Sequence, residues 1–300
     1  MSLCTSRRSF LSVLAASTAA AALPAFAAPR KAQLKFGYAA MTWGNEERQA
    51  IDDISAVGYT GIQLRANALD DFKPAELKDL LTQHKLTFVA LSSGDVILDK
   101  PTVPQIAEHV SHAQYVKDSG GLYLQILDQL KAYPRTVTPA ECKQLGALLT
   151  ELGKRTADIG IPLVYHNHVD TISEHPQNLA LVMENSDPRY VHLLLDTAHA
   201  LAGGGDPAEM IEQYRGRIIF LHLKDEVNRP MTGKMKYPFE WVELGRGRVD
   251  FPAVFAALDR IGYDGWAVVE LDHVPDPPNT PKECAVISRD YLEKELKVRI

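Results

Sequence analysis

The feature that most constrains the fold is a regular alternation of short apolar runs with longer segments of helical periodicity. This alternation is typical of parallel strands joined by helices, because two parallel strands need a long crossover connection between them. About eight such strand–helix units can be marked along the chain. The predicted strands are Leu34–Tyr38, Gly61–Leu64, Thr87–Ser92, Leu122–Ile126, Pro162–Tyr165, Val191–Leu195, Ile218–Leu223 and Ala267–Glu270.

Helices are predicted between these strands. Several open with proline in the first turn, a position whose amide would have no partner in any case. Glycine is predicted to close others, as at Gly58, Gly160 and Gly262. The predicted helices are Glu46–Val57, Pro74–His84, Pro104–Ser119, Pro139–Ile159, Pro176–Asn185, Pro207–Tyr214, Pro252–Ile261 and Pro281–Leu296.

Eight strand–helix units in a chain of 300 residues predict an α/β fold, a single-domain (β/α)8 TIM barrel. A hydrophobic content of 46% is enough for one large core. The segments Ala56–Leu64 and Leu258–Glu270 share one form, a helix end, a Gly-Tyr turn, a glycine and a strand, which is a weak internal repeat. The long connection Lys224–Asp250 is predicted to be a functional loop over the site.

The first 27 residues have the form of an export signal, so the barrel domain is predicted over residues 28–300. The segment Ser6–Leu11 contains two adjacent arginines, and an apolar, alanine-rich run follows it to Ala22. This run is shorter than the roughly 18 residues of a membrane span. We predict a twin-arginine signal, cleavage near Ala28 and a soluble periplasmic protein, with an ordinary secretory signal as the alternative.

The charge balance excludes some partners. Removal of residues 1–27 would take away two arginines and no acid, leaving 30 basic against 38 acidic side chains and a net charge of −8. A surface of this sign disfavours nucleic acid and anionic membranes. The predicted partner is a small molecule.

Two cysteines, Cys142 and Cys284, lie in the predicted mature chain, while Cys4 leaves with the signal. Neither belongs to a CxxC or a Cys/His nucleophile pattern. The periplasm permits a disulfide between them, but cysteines so far apart in sequence are more often buried and free. We expect free thiols and leave the disulfide open as the alternative.

Histidines, carboxylates and a lysine collect at the ends of the last four predicted strands. A lone histidine in a strand is usually a core residue, and a lone terminal acid is often a helix N-cap. In a barrel, however, the carboxyl ends of all strands meet on one rim, where active sites lie. A mixture of imidazole and carboxylate suits a divalent metal ion. The residues are His166 and His168, Asp196 and His199, His222 and Lys224, and Glu270.

The motifs at these strand ends resemble those of the sugar phosphate isomerase/epimerase family, which has the xylose-isomerase-like barrel. They are His-Asn-His at 166–168, Leu-Leu-Asp-Thr-Ala-His at 194–199, His-Leu-Lys-Asp at 222–225 and Val-Glu at 269–270. A further stretch, Glu-Leu-Gly-Arg-Gly-Arg-Val-Asp-Phe at 243–251, matches between the last two. The similarity covers essentially the whole mature chain and is greatest to inosose dehydratase-like members.

The resemblance implies one divalent metal ion, Mn, Co, Mg or Zn, held by a side chain from each of the last four strands. Asp196, His222 and Glu270 match three of the family's ligand positions. The fourth departs from the family pattern, because His166 stands where the family has a glutamate. We assign His166 to the metal.

Other ways of replacing the family's glutamate stay open. His168 and Glu174, from the loop that follows the fifth strand, are alternative ligands, and weaker metal binding is a further alternative. The resemblance also implies that Lys224 contacts a substrate oxygen and that His199 lies beside the metal ligands or the substrate.

Residues at the ends of the earlier strands are predicted to line the sugar pocket, with a surface or capping role as the alternative. Two tryptophans, Trp43 and Trp241, are candidates for stacking on a sugar ring, although tryptophans are often simply packed. The predicted lining residues are Gln63, Arg65, Asp95 and Gln125.

The predicted reaction is removal of a proton next to the carbonyl of a keto-sugar, keto-glycoside or keto-polyol, through an enolate intermediate. The candidate bases are Glu270, His166, His168 and His199. Reprotonation of the enolate gives isomerisation or epimerisation, and loss of a β-leaving group gives elimination. The sequence does not choose between an isomerase, an epimerase and a carbon–oxygen lyase.

Two other functions are alternatives to this one. A DNA-repair endonuclease of the same barrel superfamily would need three metal ions and a basic groove, which the net charge of −8 disfavours. A periplasmic sugar-binding barrel that has lost its metal with the missing glutamate is the alternative that we retain. Exposed barrel helices often pair, so a homo-oligomer is compatible with the sequence.

Overall fold

The computed structural model describes residues 31–129, 136–231, 236–275 and 278–300. The predicted export signal therefore lies outside the described residues. The strands, numbered in chain order, are β1 Gln33–Ala39, β2 Gly61–Arg65, β3 Thr87–Val96, β4 Tyr123–Asp128, β5 Leu163–His166, β6 Val191–Asp196, β7 Ile218–Leu223, β8 Asp225–Asn228, β9 Phe239–Val242 and β10 Asp264–Val269.

Eight of these strands close into a parallel barrel in the spatial order β1-β10-β7-β6-β5-β4-β3-β2, and β8 and β9 form a separate antiparallel hairpin. Helices alternate with the barrel strands, so the predicted single-domain (β/α)8 barrel is confirmed. They are α1 Glu47–Val57, α2 Ala68–Asp71, α3 Pro74–Gln83, α4 Thr102–Asp118, α5 Pro139–Ile159, α6 Pro176–Glu184, α7 Thr197–Ala202, α8 Pro207–Gln213, α9 Phe251–Ile261 and α10 Pro281–Lys294, with a 3-10 turn at Ala40–Trp43.

The helix ends follow the local sequence signals. The side chains of Thr138 and Thr280 each accept a hydrogen bond from the backbone amide of the third helical residue, which is a glutamate in both helices. The side chain of that glutamate accepts a hydrogen bond from the threonine amide. Gly58, Gly160 and Gly262 end helices with φ of 103°, 90° and 61°, as predicted. These values lie in the left-handed region that glycine adopts without strain.

The structure differs from the sequence prediction in its shortest elements. The last barrel strand begins at Asp264, three residues before the predicted start, and Glu270 follows the strand instead of ending it. Helix α7 was not predicted, because six residues are too few to show a helical period. The connection Lys224–Asp250 was predicted as an irregular loop, but it contains the β8–β9 hairpin.

Apolar side chains fill the inside of the barrel below the rim. Trp266 and Phe220 lie on neighbouring strands, and Phe220 stacks on Tyr123 with ring centroids 5.6 Å apart. Gly61 makes room for the indole, since a Cβ atom there would lie 2.4 Å from the Trp266 ring. This layer closes the amino-terminal half of the barrel and leaves the site at the carboxyl ends of the strands.

Cys142 on α5 and Cys284 on α10 are both buried free thiols, so the expectation of unpaired cysteines is confirmed. Within the described ranges, no helix combines the length and the apolar character needed to cross a membrane.

Candidate metal centre and active site

The metal-binding residues predicted from the sequence meet at one level of the barrel. Inside-facing residues alternate along a strand, so the position two residues after a buried apolar side chain faces the same interior. In β7 this places His222 above Phe220, and in β6 it places Asp196 above Leu194. Asp196 and His222 are partners in the register of the two strands, which brings their side chains together.

Four buried side chains form a cluster with the composition of a metal site. One ligand atom from each of His166, Asp196, His222 and Glu270 lies within 4.8 Å of all the others. Nδ1 of His222 lies 2.8 Å from Oε2 of Glu270 and 3.5 Å from Oδ2 of Asp196. Nδ1 of His166 and Oδ2 of Asp196 are buried without a hydrogen-bond partner in the described chain. Buried polar atoms without partners are costly, and a divalent cation would satisfy them, so these residues fit the implied metal.

The cluster geometry distinguishes between the residues predicted to replace the family's fifth-strand glutamate. His166 is the β5 side chain in the four-residue cluster. His168 lies just outside it, with its Nδ1 2.6 Å from the carbonyl oxygen of Val169. Glu174 accepts a hydrogen bond from the amide of Asp170 at 2.9 Å and is not a member of the cluster. Among the predicted alternatives, the geometry therefore favours His166.

Burial and mutual charge shift the titration of the cluster. Burial acts to raise the pKa of Glu270, but His222 and Lys224 outweigh it and hold that pKa well below its usual range. Burial acts to lower the pKa of His222, but Glu270 and Asp196 outweigh it and raise it to about 9. Burial raises the pKa of Asp196 above its usual value. A metal ion would have to displace the proton of His222, since histidine binds metals as the neutral ring.

Gln63 was predicted to bind substrate, but the structure gives it another role. Its side chain is buried, and its Oε1 accepts a hydrogen bond from Nε2 of His222 at 2.8 Å. Its Nε2 donates to Oγ of Ser92 at 2.8 Å. The neutral His222 ring therefore keeps its proton on Nε2 and its lone pair on Nδ1, which faces Glu270 and Asp196. Sequence reasoning missed this role because a residue 159 positions away in the chain provides the partner.

Gln63→Leu is expected to lower metal affinity by about 10- to 100-fold, because it removes the acceptor that fixes the His222 tautomer. Gln63→Glu keeps an acceptor oxygen and should bind metal close to the wild-type level. Metal titration of both variants by calorimetry checks this. Equal loss in the two variants, or no loss in Gln63→Leu, would contradict the positioning role.

Lys224 is a buried ammonium group that joins the cluster to the rim. Its Nζ lies 2.6 Å from Oδ1 of Asp272, 3.4 Å from Oε2 of Glu270 and 3.2 Å from Nε2 of His199. It also lies 4.6 Å from the ring centroid of Trp241. Burial acts to lower the pKa of Lys224, but the two carboxylates outweigh it and raise that pKa above its usual range. Lys224 therefore carries a positive charge beside the candidate metal site.

His168 and His199 stand next to each other at the edge of the cluster, with ring centroids 3.7 Å apart. His199 accepts a hydrogen bond at Nδ1 from the amide of Val169 at 3.3 Å. Burial and the nearby cationic groups lower the pKa of His199 well below its usual range, so its ring is neutral. His168 is half-buried and lines the cavity described next.

A cavity of about 220 Å³ opens above the cluster. It is bordered by cluster members, by the cationic Lys224 and by polar groups from the earlier strands, which is the arrangement of a small polar ligand site. Arg65 and Gln125, two of the residues predicted to line a sugar pocket, border this cavity. The lining also includes His166, His168, Lys224, Glu270 and Asp272.

Besides Gln63, two further predicted substrate residues do not border this cavity. Trp43 is buried, donates from its ring nitrogen to Oδ2 of Asp53 at 3.0 Å and packs edge-on against Tyr38. Its aromatic ring is therefore part of the core and offers no face to a sugar. Asp95 is exposed and is not among the residues that border the cavity. A packed tryptophan cannot be told from a stacking one by sequence pattern, because either role uses the same apolar ring.

The stretch at 243–251 holds the loop beside the site in place. Asp225 accepts backbone hydrogen bonds from Gly245, Gly247 and Val249 at 3.0, 2.9 and 3.1 Å. Gly247 must lack a side chain, since a Cβ atom there would lie 2.2 Å from Oδ1 of Asp225. Asp272 and Trp241 both lie against Lys224, and these two contacts were not predicted from the sequence.

Fold and site together define an α/β barrel with a candidate divalent-metal centre at the carboxyl ends of its strands. Residues 51–291 match the profile of the family described as xylose isomerase-like TIM barrel. The chain belongs to this family. The fold class, the family and the prediction of an enzyme are confirmed.

Proteins named inosose dehydratase are among its relatives. The protein of this name from Bacillus licheniformis is 28% identical over 296 residues, covering 89% of this chain and 97% of its own length. That from Lacticaseibacillus casei strain BL23 is 25% identical over 298 residues, covering 89% and 98%.

Solved structures share the fold at lower identity. IolI protein with a bound zinc atom superposes with a TM-score of 0.71 at 20% identity, covering 86% of this chain and 96% of that one. L-ribulose 3-epimerase superposes with a TM-score of 0.68 at 18% identity, covering 88% and 95%.

Proposed function

We propose that the protein is a divalent-metal-dependent enzyme that removes a proton next to a carbonyl of a keto-sugar, keto-glycoside or keto-polyol. In this reading it is an isomerase, an epimerase or a carbon–oxygen lyase that works through an enolate. The inosose dehydratase relatives and the fold shared with L-ribulose 3-epimerase support this class.

One observation carries the proposal. His166, Asp196, His222 and Glu270, at the carboxyl ends of four neighbouring strands, form a buried cluster at the base of a cavity that also contains the Lys224 ammonium. A mixed imidazole and carboxylate set of this kind suits Mn, Co, Mg or Zn. When bound there, the ion would act as a Lewis acid toward a substrate carbonyl.

The protein's own residues supply the proton chemistry. We assign His168 as the base, because it lines the cavity and its Nδ1–H donates to the Val169 carbonyl, which leaves Nε2 as the ring nitrogen that can accept a proton. Lys224 is placed to donate from Nζ to the substrate oxygen that gains negative charge. His199 packs against His168 and fixes its position. The same groups serve isomerisation, epimerisation and elimination, which differ only in where the proton returns or what leaves.

The sugar-binding barrel without catalysis is the weaker alternative. It assumed that the metal site was lost with the fifth-strand glutamate, but His166 occupies a place in the four-residue cluster. The inosose dehydratase relatives, which align with this chain over almost their whole length, are also named as enzymes.

Metal content and solvent exchange test the proposed function. The mature protein should contain about one divalent ion per chain by elemental analysis. Incubated in D2O with an inosose or a 3-keto-glucoside, it should exchange the hydrogen next to the carbonyl, and a chelator should stop this exchange until metal is added back. A protein that binds sugar but holds no metal would favour the binding alternative.

We also propose that residues 1–27 are a signal that directs export of the folded protein to the periplasm. The adjacent Arg7 and Arg8 before the apolar run support this. Replacement of both arginines with lysine is expected to leave the protein in the cytoplasm with its signal uncleaved. Cell fractionation and N-terminal sequencing measure this, and the wild-type periplasmic chain should begin near Ala28. Unchanged export of the double variant would instead indicate an ordinary secretory signal.

A further inference from the structure

A second, larger cavity adjoins the metal-side cavity and takes no part in the proposed chemistry. Its volume is about 510 Å³, and its wall is formed by the β8–β9 hairpin and by the segment after Glu270. Asp272 borders both cavities, so the two adjoin at that residue. The lining is mainly apolar and aromatic, with an Arg229–Glu240 ion pair of 2.9 Å at the rim.

Three aromatic side chains form a row along this cavity. Tyr237, Phe239 and Trp241 are spaced two residues apart, so they share one face of the extended segment that includes β9. The rings of Tyr237 and Phe239 are stacked, with centroids 4.9 Å apart and an interplanar angle of 7°. The rings of Phe239 and Trp241 are 4.8 Å apart and tilted by 55°. Tyr237 and Phe239 are half-buried, which leaves part of each ring facing the cavity.

The inner end of the row touches the residues that we place in catalysis. The ring of Trp241 lies 4.6 Å from that of His199 and 4.6 Å from Nζ of Lys224. The outer end is fixed to the loop after β5, because the Tyr237 hydroxyl and the Lys236 ammonium both donate to Oδ2 of Asp170. The aromatic row is therefore a fixed surface that leads from the exterior to the candidate metal site.

The volumes of the two cavities set the size of the ligand that each can hold. The metal-side cavity, at about 220 Å³, is smaller than the roughly 300 Å³ at which ligand pockets usually begin, so it suits a single sugar ring. The adjoining cavity is more than twice as large. A ligand that fills both needs a second ring with an apolar face, since such faces pack well on aromatic side chains.

We propose that the aromatic row is a subsite for a second ring joined to the reacting keto-sugar, so that the natural substrate is a keto-glycoside and not a free monosaccharide. This inference rests on the proposed function for the identity of the reacting ring. The shared chemistry is a flat ring with an apolar face, which either a second pyranose or an aryl aglycone supplies.

Ligand binding to the metal-free protein tests the subsite independently of catalysis. The probes are cellobiose and 4-nitrophenyl β-D-glucopyranoside, which carry a second ring, and methyl β-D-glucopyranoside, which does not. At least one two-ring probe should bind about tenfold more tightly than the methyl glucoside by calorimetry. A gain for cellobiose alone identifies a sugar as the second ring, and a gain for the nitrophenyl compound alone identifies an aryl group.

The variants are Phe239→Ala and Phe239→Leu, of which the second keeps apolar volume but lacks a flat ring. Both should lose the tenfold preference and keep the wild-type metal content. Phe255→Ala is the matched control, since Phe255 is also half-buried but lines a cavity at the opposite end of the barrel, and it should keep the preference. No preference in the wild type, or an unchanged preference in both Phe239 variants, would overturn the subsite. If the wild-type protein contains no metal but still prefers a two-ring probe, the result would contradict the proposed function and leave the subsite supported.

Discussion

Asp196→Asn is expected to abolish metal binding and to lower turnover by about a thousandfold or more, because it removes a charged ligand from the centre of the cluster. Asparagine keeps the acceptor oxygen that caps α7, where Asp196 Oδ1 accepts from the amide of His199 at 2.8 Å. The fold should therefore persist. Elemental analysis and kcat with an added divalent ion measure the two losses.

Asp206→Asn is the matched control for this prediction. Asp206 caps α8 by accepting from the amides of Ala208 and Glu209, and it is no member of the metal cluster. This variant should bind metal and turn over substrate like the wild type. Full metal content in Asp196→Asn, or equal losses in both variants, would remove Asp196 from the proposed site.

Lys224→Met is expected to destabilise the protein by about 3 kcal/mol, because it leaves the buried Glu270 and the half-buried Asp272 without their shared cation. Turnover should fall by about a hundredfold or more through loss of the donor to the substrate oxygen. Metal content should stay close to one ion per chain, which separates this variant from Asp196→Asn. Urea unfolding and kcat measured on metal-loaded protein provide the two values.

The control for Lys224→Met is Lys282→Met. Lys282 pairs with Asp53 at 3.1 Å but is 47% exposed, so its loss should cost less than about 1 kcal/mol and leave turnover unchanged. If both lysine variants unfold at the same urea concentration as the wild type, the buried ammonium does not stabilise the rim as inferred here.

The candidate ligand cluster was predictable because it depends on local periodicity and a single topological rule. His166, Asp196, His222 and Glu270 each follow an apolar strand residue by two positions, and a barrel brings all such positions to one rim. The sequence did not show which of His166 and His168 belongs to the candidate ligand cluster. Both face one side of the strand, and only the depth of each in the barrel separates a ligand from a rim residue.

Residues that act through others were harder to predict. Gln63 looked like a pocket residue because it ends a strand, yet its amide oxygen is taken up by His222. Trp43 and Trp241 were indistinguishable as candidates, but the first packs in the core and the second lies beside Lys224. In each case the deciding partner is distant in the chain, so no local pattern encodes it.

The sequence by itself determined the barrel, its helix ends, the family and the four candidate metal-binding positions, because hydrophobic periodicity, capping residues and strand-end chemistry are local properties. The tertiary structure alone decided which polar groups share a proton or a charge and which aromatic rings border a cavity. The hairpin that carries the aromatic row lies inside a segment predicted as irregular. Hydrogen-bond partners and cavity walls depend on distances between remote residues, and those distances exist only once the chain has folded.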